Sequence, residues 1–278
     1  METRLRVTDL KRLKQNNQPI VVLTAYDYTS ASIAEQSGVD VILVGDSLGT
    51  VIQGRESTLP VTLEQMIYHT EMVTRACTKA LVVSDMPFLS YQISAEEALR
   101  NAGSLIQKGG AQAVKLEGGK DCVEVIKKLV STGIPVIGHL GLTPQSFLTL
   151  GGYRVQGRSP EQGKLMLEEA VALQEAGVSA IVLEAIPSEL AQEITERLEV
   201  PTIGIGAGPS CTGQVLVFHD MLGISSKEEL DVPKFVKIYA NLGKLSREAI
   251  KNYVEEVKQK KFPEEKHCYV SSGPRLVR

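Results

Sequence analysis

Ionisable side chains recur in this 278-residue chain at one kind of place, just after a short apolar run. Asp46 follows Val41–Val44, and Asp85 follows Leu81–Val83. Lys115 and Glu117 follow Ala113–Val114, His139 follows Pro135–Ile137, and Glu184 follows Ala180–Leu183. Carboxylates are hard oxygen ligands, and such a pair suits Mg²⁺, which keeps several waters and leaves positions open for substrate oxygens. Asp46 and Asp85 are read as that pair. Glu117 adds a third carboxylate, directly or through a metal-bound water. Helix capping is the alternative for any one of these acids alone, but acids after consecutive runs weaken it.

Lys115 stands in the apolar context Ala113-Val114-Lys115-Leu116. A buried charge is costly unless paired, so a structural salt bridge is one reading. The other is a cation facing a substrate carboxylate or a developing oxyanion. A Schiff-base role is disfavoured, because neighbouring carboxylates keep the amine protonated. Glu184 is flanked by Ile181-Val182-Leu183 and Ala185-Ile186-Pro187. Desolvation there should raise its pKa and suit it to general-base work, with a capping or paired glutamate as the alternative. His139, in Gly138-His139-Leu140-Gly141, is catalytic or satisfied by a backbone partner, and its role stays open. His69, His219 and His267 make weaker cases.

The elements that must position these groups follow from the same runs. Val21–Ala25, Pro201–Ile203 and Val215–Phe218 bring the number of apolar runs to eight. Parallel strands covered by helices on both faces read as uninterrupted apolar runs. In a barrel of such strands, chemistry sits at their carboxyl ends. Between the runs lie helix-start signals: Thr62 with Gln65, Ser94 with Glu97, and Ser159-Pro160 with Gln162 each fit a capping box. After Ser188, the spacing of Leu190, Ile194 and Leu198 predicts a helix with one apolar stripe. Gly38, Gly109-Gly110, Gly133 and Gly177 mark helix ends before the next run. Thr8–Lys14 predicts a short helix covering the barrel floor. The expected architecture is a single (β/α)8 barrel domain over 1–278 with that helix in front. After Asp231 a charged helical tail follows, with Ile250, Tyr253, Val254 and Val257 on one face, as an outer helix or subunit contact. Gly204-Ile205-Gly206-Ala207-Gly208 lacks dinucleotide spacing, because Pro209 stands where a glycine is needed. Its glycines are expected to let a planar ligand approach the backbone.

Composition narrows the classes. The hydrophobic fraction of 43% supports a large core, and 5% aromatic content without Trp suits aliphatic barrel packing. A net charge of −3 argues against a nucleic-acid surface. The start of the chain has no apolar signal segment, and no apolar stretch is long enough for a membrane span. Cys77, Cys122, Cys211 and Cys268 lie too far apart for a C-x-x-C site and read as reduced thiols. A cytoplasmic location is expected.

Several stretches read together resemble the ketopantoate hydroxymethyltransferase family. They are Leu23-Thr24-Ala25-Tyr26-Asp27, Gly45-Asp46-Ser47-Leu48-Gly49, Met66-Ile67-Tyr68-His69-Thr70 and Val114-Lys115-Leu116-Glu117-Gly118-Gly119. The order continues with Gly138-His139-Leu140-Gly141-Leu142-Thr143-Pro144-Gln145, Gly152-Tyr153-Arg154-Val155-Gln156-Gly157, Val182-Leu183-Glu184 and Ile203–Gly208. The resemblance implies a TIM barrel, often assembled as a homodecamer. It implies that Asp46 and Asp85 hold Mg²⁺ with Glu117 alongside, and that Asp46, Ser47, Asp85 and Lys115 bind a 2-oxo acid. By the same likeness Glu184 accepts the proton. The implied reaction moves a hydroxymethyl group from 5,10-methylenetetrahydrofolate to 3-methyl-2-oxobutanoate through a Mg²⁺-stabilised enolate, giving 2-dehydropantoate for pantothenate biosynthesis. Thr212 departs from the family's usual Asp, and Ala76-Cys77 and Ser84–Ser90 also differ from its usual wording; these departures bear on loop shape and folate fit.

Overall fold

The computed structural model describes residues 4–152, 154–224 and 232–270. Tyr153 and Asp231, both used in the sequence reading, lie outside the described residues. Helix α1 (Val7–Gln15) precedes strand β1 (Ile20–Thr24). There follow α2 (Tyr28–Gln36), β2 (Val41–Val44), α3 (Leu48–Val51), α4 (Leu63–Ala76) and β3 (Leu81–Asp85). Next come α5 (Ala95–Gln107), β4 (Ala113–Lys115), α6 (Val123–Ser131), β5 (Val136–Gly141), α7 (Phe147–Leu150) and α8 (Pro160–Ala176). The last elements are β6 (Ala180–Glu184), α9 (Ser188–Arg197), β7 (Thr202–Ile205), β8 (Gly213–Leu216), α10 (Phe218–Met221) and α11 (Leu242–Lys258).

All eight strands are parallel and close in chain order, β1 pairing with both β2 and β8. The expected (β/α)8 barrel is the architecture found. Contacts divide the chain into two compact units, Met1–Phe218 with Pro233–Val236, and His219–Val232 with Lys237–Arg278. The first holds the barrel. In the second, α11 exposes Ile250, Tyr253, Val254 and Val257, the stripe expected of the tail.

The barrel interior is filled by residues that alternate along each strand: Ile20 and Val22, Val41 and Leu43, Leu81 and Val83, Ala180 and Val182. Successive strand side chains point to opposite faces, so every second residue faces the axis. Leu10 of α1 is buried in the same cluster, so the N-terminal helix contributes to the core. Lys14 fastens that helix by donating to the carbonyls of Thr195, Leu198 and Val200 at 2.7, 2.7 and 3.0 Å.

The start signals behave as expected at Thr62 and Ser159, where both halves of the capping box form. At Ser94 the hydroxyl accepts from the Glu97 amide, and that half of the box is the one formed. Gly177 ends α8 at φ 100°, a left-handed cap that other residues resist. Three expectations need correction. Strand β8 is Gly213–Leu216, earlier than the run Val215–Phe218, because its pairing with β1 and β7 begins at Gly213, where a Cβ would meet the β1 backbone. Gly206 and Gly208 make room for the chain itself. A Cβ at Gly206 would lie 2.7 Å from the Phe235 ring, and one at Gly208 would lie 2.6 Å from Ser188 Cβ. Thr212 sits at the amino end of β8, where its hydroxyl and amide pair with Thr202 at the start of β7. Its departure from the family's Asp therefore falls at the opposite end of the strands from the polar groups.

Candidate active site

The alternation that packs the core also aims the polar groups. Two residues beyond an inward-facing apolar residue, a side chain again faces the axis. Asp85 follows Val83 in this way, Lys115 follows Ala113, His139 follows Ile137, and Glu184 follows Val182. All four belong to the strands themselves, at or near their carboxyl ends, rather than to the turns beyond. Asp46 and Glu117 lie two residues past β2 and β4.

These groups meet. In the register of β3 and β4, Asp85 and Lys115 are direct partners, and Lys115 Nζ lies 3.1 Å from Asp85 Oδ1. The same ammonium is 3.8 Å from Glu117 Oε1 and 3.2 Å from His139 Nδ1. His139 sits between two acids, with Nδ1 3.3 Å from Glu117 and Nε2 3.2 Å from Glu184. Asp46 joins from the neighbouring loop, its backbone amide donating to Asp85 Oδ2 at 3.0 Å. Asp46, Asp85, Lys115, Glu117 and His139 are buried, whereas the Glu184 side chain keeps 16% exposure and is the one open to solvent or ligand. Ser47 is half-buried, with its hydroxyl 2.8 Å from that of Tyr26.

Burial, and then the charges of Asp85 and Glu117, push the Asp46 carboxyl well above the usual range. Burial also raises Asp85, against the pull of Lys115. For Lys115, burial favours the neutral amine, but Asp85, Glu117 and Asp46 outweigh it and raise its pKa. Burial and Lys115 oppose a charge on His139, yet Glu117 and Glu184 lift it to about 9. Glu117 is held down, despite burial, by His139 and Lys115.

The donor set fits a divalent cation. Four carboxyl groups, Asp46, Asp85, Glu117 and Glu184, surround two basic groups, Lys115 and His139, so the cluster is short of positive charge. The buried Asp85 Oδ1 and Glu117 Oε1 lack an aligned hydrogen bond. Among the described residues no group of three or more His, Cys, Asp or Glu side chains is placed to hold a metal ion by itself. An ion at Asp46 and Asp85 would thus complete its shell with water or substrate, the habit of Mg²⁺.

Sequence reasoning singled out every charged member of this cluster. It did not assign His139 its place between Glu117 and Glu184, and it missed Tyr26, Tyr91 and the contacts of Gln145. Parity along β5 could have placed His139 on the axis. The others are uncharged and carried no such signal.

Fold and site together define an enzyme of the (β/α)8-barrel class, with ionisable groups gathered at the carboxyl ends of its strands. The family model for ketopantoate hydroxymethyltransferase matches residues 4–265. Relatives called 3-methyl-2-oxobutanoate hydroxymethyltransferase include that of Carboxydothermus hydrogenoformans, 53% identical over 99% of both chains. That of Moorella thermoacetica is 54% identical over 97% of this chain and 100% of its own. The chain belongs to the ketopantoate hydroxymethyltransferase family. Solved structures with a similar fold include 2,3-dimethylmalate lyase, with a TM-score of 0.59 and 19% identity, covering 96% of this chain and 91% of that one. Another is a phosphonopyruvate hydrolase complexed with oxalate and Mg²⁺, with a TM-score of 0.61 and 11% identity, covering 96% and 92%.

Proposed function

We propose that the chain transfers a hydroxymethyl group to 3-methyl-2-oxobutanoate, the reaction its relatives' names describe, with 5,10-methylenetetrahydrofolate as the donor and 2-dehydropantoate as the product. The reading is supported chiefly by one observation: a partly exposed carboxylate, Glu184, stands beyond a buried cluster that combines two aspartates with a lysine. Asp46 and Asp85 would hold Mg²⁺, with Glu117 alongside. An ion held there would supply Lewis acidity toward the 2-oxo group.

The chain's own groups do the rest. Lys115, kept protonated by its acidic neighbours, binds the substrate carboxylate or offsets charge that develops on its oxo group. Ser47 offers a hydroxyl to the same substrate. Glu184 takes the proton from C3, and His139, 3.2 Å away, orients the Glu184 carboxylate. The C3 electron pair then forms a bond to the methylene carbon of the folate. One of that carbon's two bonds to nitrogen breaks as the new bond forms, and water supplies the hydroxyl as the second breaks. The proton from water and the one held by Glu184 go to the two nitrogens as tetrahydrofolate leaves. We further propose a cytoplasmic homo-oligomer, the family's decamer being the expected form.

Glu184→Gln tests the assignment. The variant keeps the volume and some hydrogen bonding but lacks a carboxylate to accept the proton. It should still bind Mg²⁺ and the oxo acid while losing C3 deuterium exchange in D₂O, read by proton NMR, by roughly 10²–10⁴-fold. Exchange at the wild-type rate would remove Glu184 as the base.

A further inference from the structure

Gln145 stands in the loop after β5 and is only 6% exposed, yet no step above uses it. Its side-chain nitrogen donates to Asp46 Oδ2 and to the Met86 carbonyl, both at 2.9 Å. Its side-chain oxygen accepts from the Tyr91 hydroxyl at 2.8 Å and from Gln92 at 3.3 Å. Its backbone amide donates to Glu117 Oε2 at 2.9 Å. Tyr91 is itself fully engaged: its hydroxyl accepts from the Glu117 amide at 3.1 Å and also faces the Glu117 carbonyl at 3.0 Å. A single residue therefore joins the loop after β5 to the segments that follow β2, β3 and β4.

The sense of the carboxamide is fixed by its surroundings. The Met86 carbonyl can only accept, so the nitrogen must face it; the opposite flip would set oxygen against oxygen there. The residue type also matters. A Glu would add another carboxylate to a cluster already short of positive charge. A Lys would supply the cation that the aspartate pair leaves missing. An amide can donate to Asp46 without changing the charge at all.

We propose that Gln145 is a positioning residue for the metal pair: its amide holds Asp46 by Oδ2, leaving the other oxygen for the cation, and Tyr91 sets the amide's direction. This rests on the reading of Asp46 and Asp85 as the metal-holding pair. Partners that orient a ligand are commonly worth ~10–100-fold in metal affinity, far more than a space-filling contact.

The test is calorimetric titration of the purified full-length protein with MgCl₂ or MnCl₂ alone, without oxo acid or folate. Wild type is compared with Gln145→Leu, Tyr91→Phe and the double variant, with far-UV circular dichroism as a check on folding. Gln145→Leu should fold and bind the ion ~10–100-fold more weakly. Tyr91→Phe should shift affinity in the same direction by less. The double variant should be no weaker than Gln145→Leu, because Tyr91 acts through Gln145 and the two effects do not add. In assays at saturating oxo acid, Gln145→Leu should recover activity as the metal concentration is raised.

Wild-type affinity in a folded Gln145→Leu, or additive losses in the double variant, would overturn the proposal while leaving the metal pair standing. Should Gln145→Leu fail to fold, Tyr91→Phe decides, and an unchanged affinity there overturns it equally. A wild-type protein that binds no divalent ion would instead overturn the metal reading, and this proposal with it.

Discussion

At the scale of single residues, Lys115 shows how environment selects chemistry. Its ammonium lies among Asp85, Glu117 and Asp46, which raise its pKa and keep it charged at neutral pH. A protonated amine is no nucleophile, so borohydride treatment in the presence of the oxo acid should leave the protein's intact mass unchanged. A mass increase mapped to Lys115 would move the chemistry to a Schiff base. Replacing Lys115 by Met leaves Asp85 and Glu117 buried without their cation. Breaking a buried pair in this way should cost ~3–5 kcal/mol in urea unfolding without metal. Added Mg²⁺ should restore part of that loss; no recovery would count against an ion at this cluster. The charged members of the site were legible in the sequence because a charge in an apolar strand context needs explaining. Gln145 was not, since its value lies in a contact to Asp46, 99 residues away, and an uncharged amide announces nothing locally.

At the scale of elements, the same alternation wrote both the core and the site, which is why strand identity and the inward residues could be read together. What could not be read was where pairing begins. The register places Gly213 opposite Ile20, and no apolar residue marks that start. Glu35 on α2 illustrates another connection invisible in a linear reading. Its carboxylate accepts from the amides of Thr78, Lys79 and Ala80, which lead into β3. Despite partial burial, these bonds hold its pKa below the usual 4.5. A lowered folded pKa adds stability that is complete above the unfolded value and lost as pH falls through the folded one. Glu35→Gln should therefore unfold at lower temperature than wild type near pH 7, with the gap closing as the pH falls below ~4. A gap of constant size across that range would refute the charge-assisted account.

At the scale of the whole molecule, no helix among the described residues is long and apolar enough to cross a membrane. The stripe of Ile250, Tyr253, Val254 and Val257 on α11 is exposed in a single chain. If the proposed homo-oligomer uses it, light scattering should give a mass several times that of one chain, and Val254→Asp should lower it. An unchanged mass in the variant would place the subunit contact elsewhere. A decamer is expected from resemblance alone, because an exposed stripe does not name what covers it.

Closure between β1 and β8 also governs the order in which a new chain can mature. Ile20 leaves the ribosome early, but its partner Gly213 follows only after all the other staves have been made. Until then, the growing sheet carries an open edge on both sides, the kind of surface that recruits other chains. Lys14 waits nearly as long, since the carbonyls it grips lie at Thr195, Leu198 and Val200. Translation stalled before β8 would therefore release a fragment that contains every charged group of the site and still lacks a sealed barrel, a product suited to chaperone capture rather than to turnover.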